Sequence, residues 1–237
     1  MSSLPEIRHS FAHLLAAAVE ELFPGAKNTI GPAIENGFYY DFEFPTGSAP
    51  SDKDFAQIEK AMRKILPKWK SFEKMPVSAD EARKRFAGNP YKLELIEEIV
   101  KKGEEITLYR SGDFIDLCRG GHADVADMKP DAFKIDRIAG AYWRGNEKNA
   151  MLTRIYGIAF ASKADLDAYV AQQEEAKKRD HKKLGRDMKL FTISPLVGAG
   201  LPLMQPKGMI IRKTIEDYLW SLHADKGYER VWTPHPP

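Results

Sequence analysis

Cysteine is almost missing from this sequence: Cys118 is the single thiol in 237 residues. One cysteine excludes an internal disulfide and fits a reducing compartment. No apolar run approaches the ~20 residues that a membrane-spanning helix needs. The first residues carry no basic-then-apolar signal pattern. Together these absences give the expectation of a soluble, cytoplasmic protein with no membrane partner. Charge of one sign is not in excess either: the net charge is +2, which argues neither for nor against nucleic acid as a partner. Gly140–Gly145 is the one glycine-flanked stretch that invites a phosphate-loop reading. It matches neither the P-loop nor the dinucleotide pattern, and Trp143 would crowd a phosphate, so a tight turn is expected there. There are no internal repeats and no low-complexity tract. With 43% hydrophobic and 30% charged residues, the composition is that of a globular chain of one large domain or two small ones.

Histidine is also scarce, at six residues, and half of them fall into two short clusters with the lone cysteine. His9 and His13 are four residues apart in Arg8-His9-Ser10-Phe11-Ala12-His13, and Cys118 and His122 are four apart in Asp116-Leu117-Cys118-Arg119-Gly120-Gly121-His122. A fold that joined the clusters would make a three-His, one-Cys cavity able to hold a metal or activate a water. The metalloprotease pattern places Glu directly after the first His; here Ser10 stands there, which disfavours that chemistry. An HxxxH pair alone is more often ordinary helix, and a lone Cys is more often structural. Each cluster supplies the ligands the other lacks, and this shifts the weight to function.

Apolar periodicity predicts helices over Ser10–Phe23, Ser51–Lys70, Ser78–Ala87, Tyr91–Lys101 and Gly208–Ala224. Asn36-Gly37 predicts a hairpin leading into the strand Tyr39–Phe44. Further strands are expected at Glu105–Arg110, Phe114–Leu117, Phe133–Ala139 and Leu152–Phe160, and a last one starts at Gly227 and runs through Pro234. Residues 162–189 read as one solvated connecting helix with the basic segment Lys177–Lys183, and mark a domain boundary. That segment, with Tyr142 and Trp143, is suited to an RNA backbone or is simply a charged, hydrated face. Tyr39, Tyr40, Lys92 and Asp116 are the remaining polar candidates. Asp116 alternates with Cys118 and so shares its face; a lysine on a helix, such as Lys92, is ordinarily exposed.

These stretches together resemble bacterial threonyl-tRNA synthetase. The residues that carry the resemblance are Arg8–Leu15, Ile30-Gly31-Pro32 with Asn36–Asp41, Asp116–His122, Ala139–Gly145 and Arg154–Gly157. The resemblance runs from about residue 6 to residue 234. It implies an α+β fold: a two-part editing module of antiparallel sheet with packed helices over 1–161, shared with alanyl-tRNA synthetase, then the connecting helix 162–189. Residues 190–237 are similar to the start of the class II catalytic domain, with its first motif only. The implied activity is proofreading hydrolysis of seryl-tRNA(Thr). The alternatives are a non-catalytic zinc- or tRNA-binding module, or an inactive fragment of the full threonine–tRNA ligase. Carried over by position, His9, His13, Lys92, Asp116, Cys118 and His122 are the implied catalytic residues, and Tyr39 and Tyr40 contact substrate. His9, His13, Cys118 and His122 are the implied ligands if zinc is bound. The partner implied is tRNA(Thr), chiefly its aminoacylated 3′ end, with a homodimer through the first motif. Family members usually carry an N-terminal ubiquitin-like domain, and the residues read here follow it. The family's ATP-binding motifs, catalytic zinc ligands and anticodon-binding domain do not occur in these residues. Gly121 stands where the family has proline, which loosens the loop.

Overall fold

Ser3 sets the start of the first helix. Its hydroxyl accepts the Glu6 N–H while the Glu6 carboxylate accepts the Ser3 N–H, so α1 runs Leu4–Leu22 and begins before its apolar stripe does. The computed structural model describes residues 2–198 and 200–233. The chain divides into two compact units, Met1–Tyr169 and Val170–Pro237.

In the first unit, α1 is followed by β1 (Lys27–Asn28), β2 (Ala33–Ile34) and β3 (Gly37–Glu43). The hairpin turns at Glu35–Asn36, one residue before the expected position, because Gly37 is needed inside the strand. A Cβ there would lie 2.0 Å from the Gly157 carbonyl oxygen. Next come α2 (Phe55–Ile65), β4 (Glu73–Val77), α3 (Ala79–Arg85), α4 (Pro90–Lys102), β5 (Ile106–Ser111), β6 (Phe114–Leu117), β7 (Phe133–Tyr142) and β8 (Met151–Ala159). Ser51 caps the single 3-10 turn that leads into α2, so the α-helix proper starts later than the expected Ser51. Gly140–Tyr142 belongs to β7, and only Trp143–Gly145 turns, with Arg144 at φ 57°. The expected tight turn is therefore half as long as read.

Two antiparallel sheets result. One has the order β1-β3-β8-β7 with β2 hydrogen-bonded to β3; the other is β4-β5-β6. α1 and α2 cover the first sheet, and Phe11, Leu14, Leu15, Phe38, Phe42, Ile58, Met62 and Ile155 fill the space between with no exposure. Burying side chains of this size stabilises the fold by roughly 1.5–3 kcal/mol each. α3 and α4 cover the second sheet through Ala82, Phe86, Ile96, Ile99, Ile106 and Leu108. The mixed helix and antiparallel sheet architecture agrees with the expected class.

The second unit starts within α5 (Lys163–Lys178) and contains α6 (His181–Asp187), β9 (Phe191–Thr192), β10 (Leu203–Met204) and α7 (Pro206–His223). The single connecting helix of the sequence reading is broken at Arg179–Asp180. The Asp180 carboxylate accepts the Lys182 and Lys183 N–H groups and starts α6 afresh. β9 and β10 pair antiparallel. The strand expected from Gly227 is not formed over Gly227–Thr233, and Pro234 lies outside the described residues.

Candidate active site

Alternation along β3 sends Tyr40 into the core and Tyr39 to the opposite face. β5 and β6 pair with Leu108 opposite Leu117 and Tyr109 opposite Asp116, so Asp116 enters the interior and Cys118 follows at the mouth of the strand. α1 presents His9 and His13 one turn apart on the same side. Asn89 caps α4 through the Tyr91 and Lys92 N–H groups and donates from Nδ2 to the Asn28 carbonyl, which points Lys92 inward from the first helical turn.

These elements bring the two sequence clusters into one place. The Nε2 atom of His9 lies 3.1 Å from the Cys118 Sγ and 3.4 Å from His13 Nε2, and the Cys118 Sγ lies 3.5 Å from His122 Nε2. Edges of about 3.4–3.7 Å are what a tetrahedral zinc with ~2.1 Å nitrogen and ~2.3 Å sulfur bonds would impose. The donor atoms of all four lie within 4.8 Å of one another. The distal nitrogens of two imidazoles are tied back. His9 Nδ1 is 3.2 Å from the Gly31 carbonyl oxygen, which can only accept, so Nδ1 carries the proton and Nε2 offers a lone pair to the cluster. His13 Nδ1 is 3.4 Å from Asp116 Oδ2. That set fits a metal and equally fits a base that activates water.

Beside the cluster is a second, drier arrangement. Lys92 and Asp116 are each 1% exposed and form an ion pair. The Lys92 Nζ donates to the Tyr40 hydroxyl at 3.1 Å, and that hydroxyl donates to Asp116 Oδ2 at 2.5 Å. Asp116 Oδ1 also accepts the Leu117 N–H at 2.8 Å. Burial alone would push the Asp116 carboxyl up, but the Lys92 charge and the bond from His13 hold it far below the usual carboxylate range. Burial likewise opposes the charged form of His13; hydrogen bonds and charges from Asp116 and Cys118 outweigh it and raise its pKa to about 9. For Cys118 burial acts upward, and hydrogen bonds, that of His122 first, overcome it, lowering the thiol to about 3. The resting site is a thiolate beside an imidazolium. His122 is held neutral by its burial, and its Nδ1 has no hydrogen-bond partner among the described residues.

Of the residues named from sequence, His9, His13, Tyr40, Lys92, Asp116, Cys118 and His122 converge. Tyr39 does not: on the far sheet face it packs against Tyr156 and under the Arg154 guanidinium, 3.8 Å from its ring centroid. Lys92 is buried, against the ordinary expectation for a helical lysine. Sequence reasoning assigned no site role to Gly31, Phe72 or Tyr109. Gly31 packs against Tyr40 so closely that a Cβ would sit 2.1 Å from the ring. Phe72 stacks on the His122 ring at 4.3 Å and 2°, and Tyr109 lies 4.4 Å from it. The glycine beside proline at 31–32 was a usable signal; the two aromatics offered none.

The comparisons bear on this geometry directly. A family model described as the threonyl and alanyl tRNA synthetase second additional domain matches residues 106–156, the stretch holding Asp116, Cys118 and His122. The chain is 49% identical over 235 residues to the threonine–tRNA ligase of Gloeobacter violaceus, covering 98% of this chain and 37% of that protein. It is 48% identical to the threonine–tRNA ligase of Dehalococcoides mccartyi over 99% of its own length and 40% of the relative's. For the threonine–tRNA ligase of Borreliella afzelii the values are 48%, 96% and 39%. The chain is similar to bacterial threonine–tRNA ligases. It spans about two-fifths of the length of these relatives. Similarity to threonine–tRNA ligases thus covers both sequence clusters and the helix that carries Lys92. No helix among the described residues is long and apolar enough to cross a membrane.

Proposed function

We propose that the first unit is the proofreading site of a threonine–tRNA ligase and hydrolyses seryl-tRNA(Thr). The observation that carries this reading is the convergence of His9, His13, Cys118 and His122 beside the buried Lys92–Asp116 pair, in a chain similar to those ligases. The chemical need is clear: threonine exceeds serine by one methyl group, and a pocket discriminates such a difference by only ~1–3 kcal/mol.

The 3′ end of the tRNA brings the seryl ester to the cluster. Water attacks the ester carbonyl carbon, and its proton passes to His9 Nε2, which the Gly31 carbonyl keeps free to receive it. The imidazolium of His13, held protonated by Asp116 and the Cys118 thiolate, faces the developing oxyanion. The tetrahedral intermediate then expels the ribose 3′ oxygen, which takes the proton back from His9, giving serine and tRNA with a free 3′ hydroxyl. Lys92 is committed to Asp116 and Tyr40 and acts through them. The unpartnered Nδ1 of His122 and the Cys118 thiolate are acceptors for the serine ammonium and hydroxyl.

The test is deacylation of seryl- and threonyl-tRNA by the chain, alongside His9→Ala and Lys92→Ala. Seryl-tRNA is cleaved, threonyl-tRNA is spared, and His9→Ala slows cleavage by about 100-fold or more. Undiminished hydrolysis in both variants sinks the assignment.

The donor set supports a second reading, a zinc site held by His9, His13, Cys118 and His122. With all four as ligands a tetrahedral zinc would have no open position, so it would brace the two clusters against each other rather than activate a water. Metal analysis separates the two readings: stoichiometric zinc without deacylation favours a binding module. The proposal further assigns residues 1–161 to editing, 162–189 to the connection, and 190–237 to the first motif of a class II catalytic domain. There α7 exposes Ile211, Ile215, Leu219 and Leu222 for a homodimer in the cytoplasm. Residues 1–237 alone are then expected to form no threonyl-tRNA.

A further inference from the structure

Arg144 has φ 57° and ψ 23°, in the left-handed region that a side chain disfavours and glycine enters freely. An arginine held there points to a task for its side chain. The guanidinium bridges two acids of α4 that are one helical turn apart. Its Nε lies 2.8 Å from Glu94 Oε1 and its Nη1 2.6 Å from Glu98 Oε1. The neighbouring Trp143 donates its indole N–H to Glu94 Oε2 at 2.9 Å. Trp143 is buried; it meets the Tyr91 ring edge-on at 5.2 Å and packs with Leu95 of α4 and Leu152 of β8. The Asn149 side chain donates to the Trp143 carbonyl and closes the tip on itself. The tip between β7 and β8 therefore grips α4 at Tyr91, Glu94, Leu95 and Glu98.

Ile96 and Ile99, on another side of α4, pack on the second sheet, so this helix joins the two sheets of the first unit. Lys92 rides on it. Asn89 ties the start of α4 to β1, and the tip holds the turns that follow. Ion pairs as exposed as those of Arg144 add little to stability, and the strained backbone subtracts from it. What the arrangement supplies is placement. We propose that Trp143 and Arg144 are positioning residues for the ester-cleaving site. They clamp α4 so that the Lys92 ammonium stays on Asp116 and Tyr40, and Asp116 in turn on His13. The bearing of this clamp on catalysis rests on the reading of the first unit as a deacylase.

Arg144→Gly takes the same backbone conformation without strain and removes the grip. In the full chain it is expected to keep the thermal midpoint near the wild-type value. Lys92, shielded from acetic anhydride in the wild type, loses that protection, as read by peptide mass spectrometry. The kcat for deacylation of seryl-tRNA(Thr) falls about tenfold or more, with KM little changed. Glu94→Ala/Glu98→Ala reproduces both effects, and joining it to Arg144→Gly adds nothing further. Lys148→Ala, an exposed residue of the same tip, alters neither. Lys92 still protected in Arg144→Gly overturns the proposal, whether or not kcat falls, because any effect would then bypass Lys92. Exposure of Lys92 at an unchanged kcat overturns it as well. Failure of the proofreading reading looks different: the wild-type chain cleaves no seryl-tRNA, while Lys92 still loses its protection in Arg144→Gly.

Discussion

Lys92 and Asp116 face each other across the interior with 1% exposure apiece, so neither charge has water to fall back on. Breaking such a pair from one side leaves an uncompensated buried charge and costs about 3–5 kcal/mol. Lys92→Met and Asp116→Asn are therefore each expected to lose stability of that order in urea unfolding. A loss under about 1 kcal/mol in both would show that the pair is solvated and would remove the support it gives to His13.

The pH responses of Cys118 and His13 run in opposite directions. The Cys118 thiol falls to about 3 in the folded chain from ~8.5 unfolded. Its contribution to stability is full above the unfolded value and declines as pH falls toward 3. His13 is raised to about 9 from ~6.5, so its contribution is full below the unfolded value and is lost as pH rises through 9. Alkylation of Cys118 by iodoacetamide is then flat between pH 5 and 8, whereas an ordinary thiol accelerates tenfold per unit there. The His13 ring protons titrate near 9 by NMR, and Cys118→Ser moves that midpoint down. A rising alkylation profile contradicts the thiolate.

The loop between Cys118 and His122 bends through two left-handed glycines, Gly120 at φ 106° and Gly121 at φ 83°. Alanine at 121 meets open space and carries only the backbone strain, about 1–2 kcal/mol. Alanine at 120 adds a Cβ 2.7 Å from the Tyr109 hydroxyl. Gly120→Ala is expected to be the more destabilising in thermal unfolding and to slow deacylation more. The reverse order would mean that Tyr109 does not fix this loop. Proline at 121 is locked near φ −65° and cannot take the observed φ of 83°.

Gly31→Ala forces a Cβ into the Tyr40 ring and moves the carbonyl that sets the His9 tautomer. Its deacylation rate is expected to drop nearly as far as that of His9→Ala, while seryl-tRNA binding stays within a few-fold of wild type. A kcat equal to wild type would detach the carbonyl from the chemistry.

Much of this was legible from residue order because it depends on local rules. The four-residue spacing of His9 and His13 on an apolar-striped helix fixed their shared face, and strand alternation from Asp116 fixed which residues turn inward. The same alternation separates Tyr40 from Tyr39, a consequence that the pairing of the two as substrate contacts overlooked. β4 was not legible: Glu73-Lys74-Met75-Pro76-Val77 is polar and contains proline, which only an edge strand tolerates, and what makes it a strand is the neighbouring β5. The break in the connecting helix was visible in principle, since Asp180 is a good N-cap. The charged run around it hid the signal. The burial of Lys92 lay beyond any local rule, because it depends on a carboxylate 24 residues away in sequence.

Asn89 ties this long-range arrangement together. One side chain starts α4 and simultaneously grips β1, the strand beside the one that bears Tyr40. The ammonium of Lys92 can neutralise Asp116 only after helix, strand and the β5–β6 hairpin have all arrived. Any partly assembled intermediate that has buried Asp116 without α4 carries a naked carboxylate in its interior. The ionic pair therefore couples the burial of Asp116 to the placement of α4, and a chain that has one without the other is penalised.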